Sequence, residues 1–228
     1  MIDKEKCKTM DFLRESGICS MDAFFYLSRL RGLSNLSKED IKKAIQSACD
    51  FFGIPEPLVA YDISNSRFAG TMFVNLDPTT FGDDILCYNM KELASLGIGS
   101  KDAFSLIMTH ECAHRFLQNV SFEGPYSGSW QHELAADFLM GCRAGLQGMS
   151  QIQRVMDGLS KTGGSKTHPK GFLRSDFIRH GLAVTQRIAL PISLKALLME
   201  YLKHYDEMWP YIKKDEKEIY NFFERRNR

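Results

Sequence analysis

From Ser100 to Leu117 the chain reads Ser-Lys-Asp-Ala-Phe-Ser-Leu-Ile-Met-Thr-His-Glu-Cys-Ala-His-Arg-Phe-Leu, and no other stretch limits its fold as strongly. Ser100 suits a helix N-cap, and Phe104, Ile107, Met108 and Leu117 then point in more than one direction around the helix. A helix that is apolar nearly all round belongs at the centre of a domain. This one also carries His110, Glu111 and His114, three groups that are costly to bury without a partner charge. The chain therefore has to surround its central helix with other elements and supply compensation for a polar cluster in its core.

The spacing of the cluster says what that compensation is. Residues four apart lie on one face of a helix, so His110 and His114 can present two imidazoles to one metal ion. Glu111 follows His110 and stands to the side, where a general base reaches a metal-activated water; it would take the water's proton and deliver it to a leaving amine. Such a site needs a third protein ligand and an open fourth position. Downstream, Trp130-Gln131-His132-Glu133-Leu134-Ala135-Ala136-Asp137 places Glu133 and Asp137 four apart on a second helix whose other residues are largely apolar. Glu133 is the expected third ligand, with Asp137 one turn later orienting a ligating histidine. His132 is the rival ligand; it points about 100° away from Glu133, so only one of the two can face the metal.

HExxH followed by ExxxD on a later helix resembles the gluzincin metallopeptidases. It is most similar to the HtpX and CAAX-prenyl-protease type, whose pattern continues with HPxxxxR, matched here by Thr167-His168-Pro169-Lys170-Gly171-Phe172-Leu173-Arg174. The resemblance covers about Leu86 to Arg174. It implies a zincin-like fold, zinc held by His110, His114 and Glu133, Glu111 as general base and acid, and Asp137 orienting a histidine. It further implies His168 as stabiliser of the oxyanion and Arg174 as a residue holding that segment in place. Those relatives are largely membrane-embedded. This chain has no uninterrupted apolar stretch of the roughly 18 to 20 residues a span requires, so lipidated or membrane-protein substrates are not carried over.

The remaining chain reads as one helix-dominated α+β domain over 1–228, with an N-terminal helical part (1–57), a zincin-like core (58–186) and a C-terminal helical part (187–228). Helices are expected from near Ser20 to Arg31, from Ser37 to Gly53, from about Ser129 to Gly145, Gln151 to Leu159, Leu173 to Gln186 and Leu194 to Met208, with a separate solvated helix after Pro210. Three short strands are expected at Leu58 to Tyr61, Gly70 to Asn75 and Asp84 to Tyr88. Their connections are too short for helical crossovers, which predicts an antiparallel sheet beside the motif helix. Gly70 to Asn75 or Asp84 to Tyr88 could offer an edge to an extended peptide.

Lys plus Arg total 29 against 28 Asp plus Glu, a formal charge of +1 that gives no electrostatic pull towards nucleic acid. The N-terminus shows no signal peptide, which points to a cytoplasmic protein. Six cysteines without a CxxC pair read as reduced and buried, and Cys112 turns about 200° away from His110. His180 and His204 read as surface or capping residues, and loop residues from Phe122 to Ser129 as candidates to flank a pocket. The function expected first is a zinc metalloendopeptidase acting on a peptide or protein. The alternative is a zinc-binding domain of the same fold with a regulatory or interaction role and no turnover.

Overall fold

The computed structural model describes residues 36–57, 59–62, 72–75, 84–88, 100–123, 129–160, 163–188 and 191–226. Helices dominate them: α1 (Lys38–Phe52), α2 (Lys101–Asn119), α3 (Ser129–Gln147), α4 (Ile152–Leu159), α5 (Gly171–Arg187) and α6 (Leu194–Arg226). Between α1 and α2 lie three short strands, β1 (Val59–Asp62), β2 (Met72–Asn75) and β3 (Asp84–Tyr88). The helix expected near Ser20, Cys7 and Cys19, and residues 124–128 of the expected pocket loop fall outside the described residues.

Local chemistry sets the helix ends. The Ser37 hydroxyl accepts from the Asp40 N–H at 3.1 Å and the Asp40 carboxylate accepts from the Ser37 N–H at 3.3 Å, a reciprocal cap that starts α1. Gly53 closes it with φ 62°, a left-handed conformation that a residue with a Cβ adopts at a cost. Ile41, Ala44, Ile45, Ala48, Cys49 and Phe52 form its buried face. Ser100 starts α2 by accepting from the Ala103 N–H at 3.2 Å. From Ala103 to Ala113 every residue of α2 is buried, so the all-round apolar helix is the centre of the fold, with α1 on one flank and α3 on another.

The sheet is mixed rather than antiparallel. Its order is β1-β3-β2, with β3 parallel to β1 (Val59 opposite Ile85) and antiparallel to β2 (Met72 opposite Cys87). The expectation failed because β2 itself supplies the return leg: the chain goes out on β1, back on β2, and lays β3 between them. No helical crossover is required for that arrangement. It also removes Asp84–Tyr88 as an edge for peptide pairing, since β3 is the central strand. Tyr88 on β3 meets Phe104 of α2 edge-on, 6.0 Å between ring centres, which fixes the sheet to the motif helix.

α3 and α5 approach closest of the helices. A Cβ at Gly141 would enter the Ile178 carbonyl, and one at Gly181 would enter the Phe138 carbonyl, so the crossing needs glycine on both sides. α6 runs unbroken through Pro210, where the sequence suggests a stop. Proline inside a helix removes one hydrogen bond and costs about 3 kcal/mol. Burial on both sides of it, Leu197, Tyr201 and Tyr205 before and Ile212 after, holds the helix to the core despite that loss. The buried apolar side chains of all six helices and of β3 form one continuous cluster. Among the described residues no helix is long and apolar enough to cross a membrane.

Candidate metal centre

Three elements and one loop deliver the seven residues singled out by the sequence to one place. α2 contributes His110, Glu111 and His114, α3 contributes Glu133 and Asp137, the first turn of α5 contributes Arg174, and residues 163–170 contribute His168. The Nε2 atoms of His110 and His114 face each other at 3.0 Å. Glu133 stands over both, Oε2 at 3.5 Å from His110 Nε2 and Oε1 at 3.4 Å from His114 Nε2. One ligand atom from each of the three lies within 4.8 Å of the others, so this buried group can hold a metal ion. Four ligands at about 2.1 Å around a tetrahedral ion stand about 3.4 Å apart, and the observed spacings match that edge. Glu111 Oε1 and Glu133 Oε2 are buried and have no hydrogen-bond donor among the described residues. Buried acceptors left without donors are what a cation would satisfy.

Behind the histidines stands a second tier of charge. His110 Nδ1 is 3.1 Å from Asp137 Oδ1, the contact that orients a ligating imidazole. Asp137 in turn accepts two hydrogen bonds from Arg174, Nε to Oδ2 at 2.7 Å and Nη2 to Oδ1 at 2.9 Å. The guanidinium of Arg174, expected to hold the His168 segment in place, forks onto Asp137 and lies 3.8 Å from Glu133. His168 sits with Nε2 3.6 Å from Glu133 Oε2. Its Nδ1 is 2.9 Å from the Thr167 hydroxyl, and its backbone N–H donates to the Ser165 hydroxyl at 3.0 Å. Gly164, at φ 79°, lets this loop double back against the Lys170 backbone, where a Cβ would collide.

These neighbours set the protonation. Burial opposes a charge on His110, but the hydrogen bond and charge of Asp137, then Glu133, prevail and raise it to about 9. Burial takes His114 the other way, to about 3, so its ring is neutral. Glu133 is held well below the usual carboxylate range because His168, His114 and His110 outweigh its burial. Asp137 is likewise lowered, chiefly by Arg174 against burial. Glu111 is pushed up to about 8, first by burial, with the Glu133 charge adding to it. The cluster therefore contains two fixed anions, a carboxyl that binds a proton near neutrality, and an open side at His114, whose side chain is 13% exposed against 1% for His110.

The rival ligand His132 turns away, its ring edge-on to Phe122 at 5.8 Å between centres. His180 and His204 are a correction: they stack face to face at 3.9 Å, with His204 Nε2 2.8 Å from Asp176, and join α5 to α6. Sequence reasoning missed the contacts that steady His168. The hydroxyls of Ser165 and Thr167 carried a signal, since such side chains close local turns. Lys170, which pairs with Asp215 at 2.8 Å and Glu218 at 2.9 Å on α6, carried none. No protein-family model, curated protein or solved structure matches this chain.

Proposed function

We propose that the chain is a zinc-dependent metalloendopeptidase with a zincin-like site, acting on a peptide or protein substrate. The observation that carries the reading is the convergence of His110, His114 and Glu133 in a buried group, beside a Glu111 carboxyl with an oxygen that no described donor reaches. Two imidazoles and one carboxylate are a donor set zinc takes in catalytic sites, with the fourth position left to water or substrate. When bound, zinc supplies Lewis acidity, which polarises a carbonyl and makes water acidic enough to act near neutral pH.

The residues of the chain divide the remaining work. Asp137, 3.1 Å from His110 Nδ1, would orient that ring so that Nε2 faces the ion, and Arg174 keeps Asp137 ionised. Glu111, buried beside the ligand pair with an oxygen that no described donor reaches, would take the proton of the attacking water and pass it to the leaving amine. A Thr167 hydroxyl donating to His168 Nδ1 leaves the ring proton on Nε2, from which His168 donates to the oxygen of the carbonyl under attack.

Elemental mass spectrometry on protein purified without added zinc tests the reading. Wild type should carry about one zinc per chain, and Glu133→Ala much less. Glu111→Gln should keep its zinc and lose at least about 10²-fold in casein hydrolysis, the smaller end of what a general base contributes. Wild type that neither carries nor takes up zinc would sink the proposal. Zinc-loaded wild type without hydrolysis would leave the non-hydrolytic zinc domain in its place.

A further inference from the structure

Two thiols meet on the far side of α2 from the metal cluster. Cys49 of α1 and Cys112 of α2 bring their Sγ atoms to 3.8 Å, both without solvent exposure. They sit on different helices, so a bond between them would cross-link α1 to α2, and a buried cation lies on the same seam. Arg143 of α3 is buried on the α1/α2 seam. Its Nη2 donates to the Ser47 hydroxyl at 2.8 Å, and its Nη1 to the Ser105 carbonyl at 3.4 Å and to the Thr109 hydroxyl. Every one of these acceptors is neutral, and Nε has no acceptor among the described residues. A guanidinium buried among neutral groups is costly. Either sulfur can donate to the other across the Cys49–Cys112 contact.

We propose that Cys49 and Cys112 are a redox-active dithiol that closes to a disulfide when oxidised by hydrogen peroxide, fastening α1 to the helix that carries His110, Glu111 and His114. The Cys49 sulfur attacks one peroxide oxygen; the O–O bond breaks, the released hydroxide takes the Cys49 thiol proton and leaves as water, and Cys49 becomes a sulfenic acid. The Cys112 sulfur then attacks the Cys49 sulfur. The S–O bond breaks, its hydroxide leaves with the Cys112 proton as a second water, and the S–S bond forms. Two thiols lose two electrons and two protons, and one peroxide becomes two waters. The sulfurs must approach by about 1.8 Å to reach bonding distance, which rotation about the two Cα–Cβ bonds has to supply. Because neither sulfur is exposed, peroxide enters only when α1 lifts from α2, and a thiol reductant reverses the step by the same route.

The test uses the full-length wild-type chain, fully reduced, treated with a modest excess of peroxide, alkylated and digested without reductant. Mass spectrometry should find the protein lighter by about 2 Da and a single cross-linked peptide pair joining Cys49 to Cys112, lost again on reduction. Cys49→Ser and Cys112→Ser should each abolish that peptide pair. Cys49 and Cys112 recovered as free thiols, carried to sulfinic acid, or joined to other cysteines would overturn the proposal. The readout is a covalent bond in wild type, so it stands apart from zinc content, from hydrolysis and from the folding of any variant.

Discussion

Arg174 and Asp137 share two hydrogen bonds in a place that water does not reach, and both are wholly buried. Removing one partner of such a pair leaves the other charge stranded, at about 3–5 kcal/mol. Arg174→Met should therefore lower unfolding stability in urea by that amount, and the double variant Asp137→Leu/Arg174→Met should recover a large part of it. A double variant no more stable than the single one would mean that packing, not charge, dominates there. At this scale the sequence was informative wherever a helix did the placing. The four-residue spacings His110–His114 and Glu133–Asp137 each put two side chains on one face, and both pairs meet as expected. Arg174 was a different case. Nothing in the spacing says that a residue 37 positions after Asp137 reaches back to it.

The crossing of α3 and α5 is where the element scale governs the site, since α3 carries Glu133 and Asp137 and α5 carries Arg174. Gly141 and Gly181 allow the two backbones to touch. Gly181→Val would force them apart, with a loss of about 1–3 kcal/mol or more from overpacking. On the proposed zinc reading it should also weaken metal retention, because the Arg174–Asp137 contact lengthens with the separation. Thermal unfolding and elemental analysis of the same preparation check both; a variant that loses stability but keeps its zinc would break that link. Helices were legible because apolar period and caps agree, at Ser37 and Gly53 for α1 and at Ser100 for α2. Strand order was not, since pairing depends on which segment inserts between which. Neither was the passage of α6 through Pro210. Local chemistry argues for a break there, and the burial of Ile212 and the ion pairs of Asp215 and Glu218 with Lys170 argue against it.

Across the whole molecule, the far half of α6 clasps the loop that carries His168. Lys170 reaches Asp215 and Glu218, and Lys166 reaches Glu224. Partly exposed ion pairs contribute little to global stability, on the order of 1 kcal/mol or less. Their effect should be local. Asp215→Asn should change the urea midpoint slightly, while amide exchange in 163–170 quickens and that in α3 stays unchanged. Exchange that is unaltered in the loop, or raised equally in α3, would show that the clasp does not hold the loop.

The clasp also has an order in time. Translation proceeds from the N-terminus at about 5–20 residues per second, and Asp215 lies 45 positions after Lys170. A growing chain therefore holds Lys170 some 2 to 9 seconds, roughly, before Asp215 is made, and His110, His114, Glu133 and His168 for longer still. While the polypeptide is still tethered to the ribosome and its neighbours are unfolded, the loop is left untied, and the site is completed only as the last helix emerges.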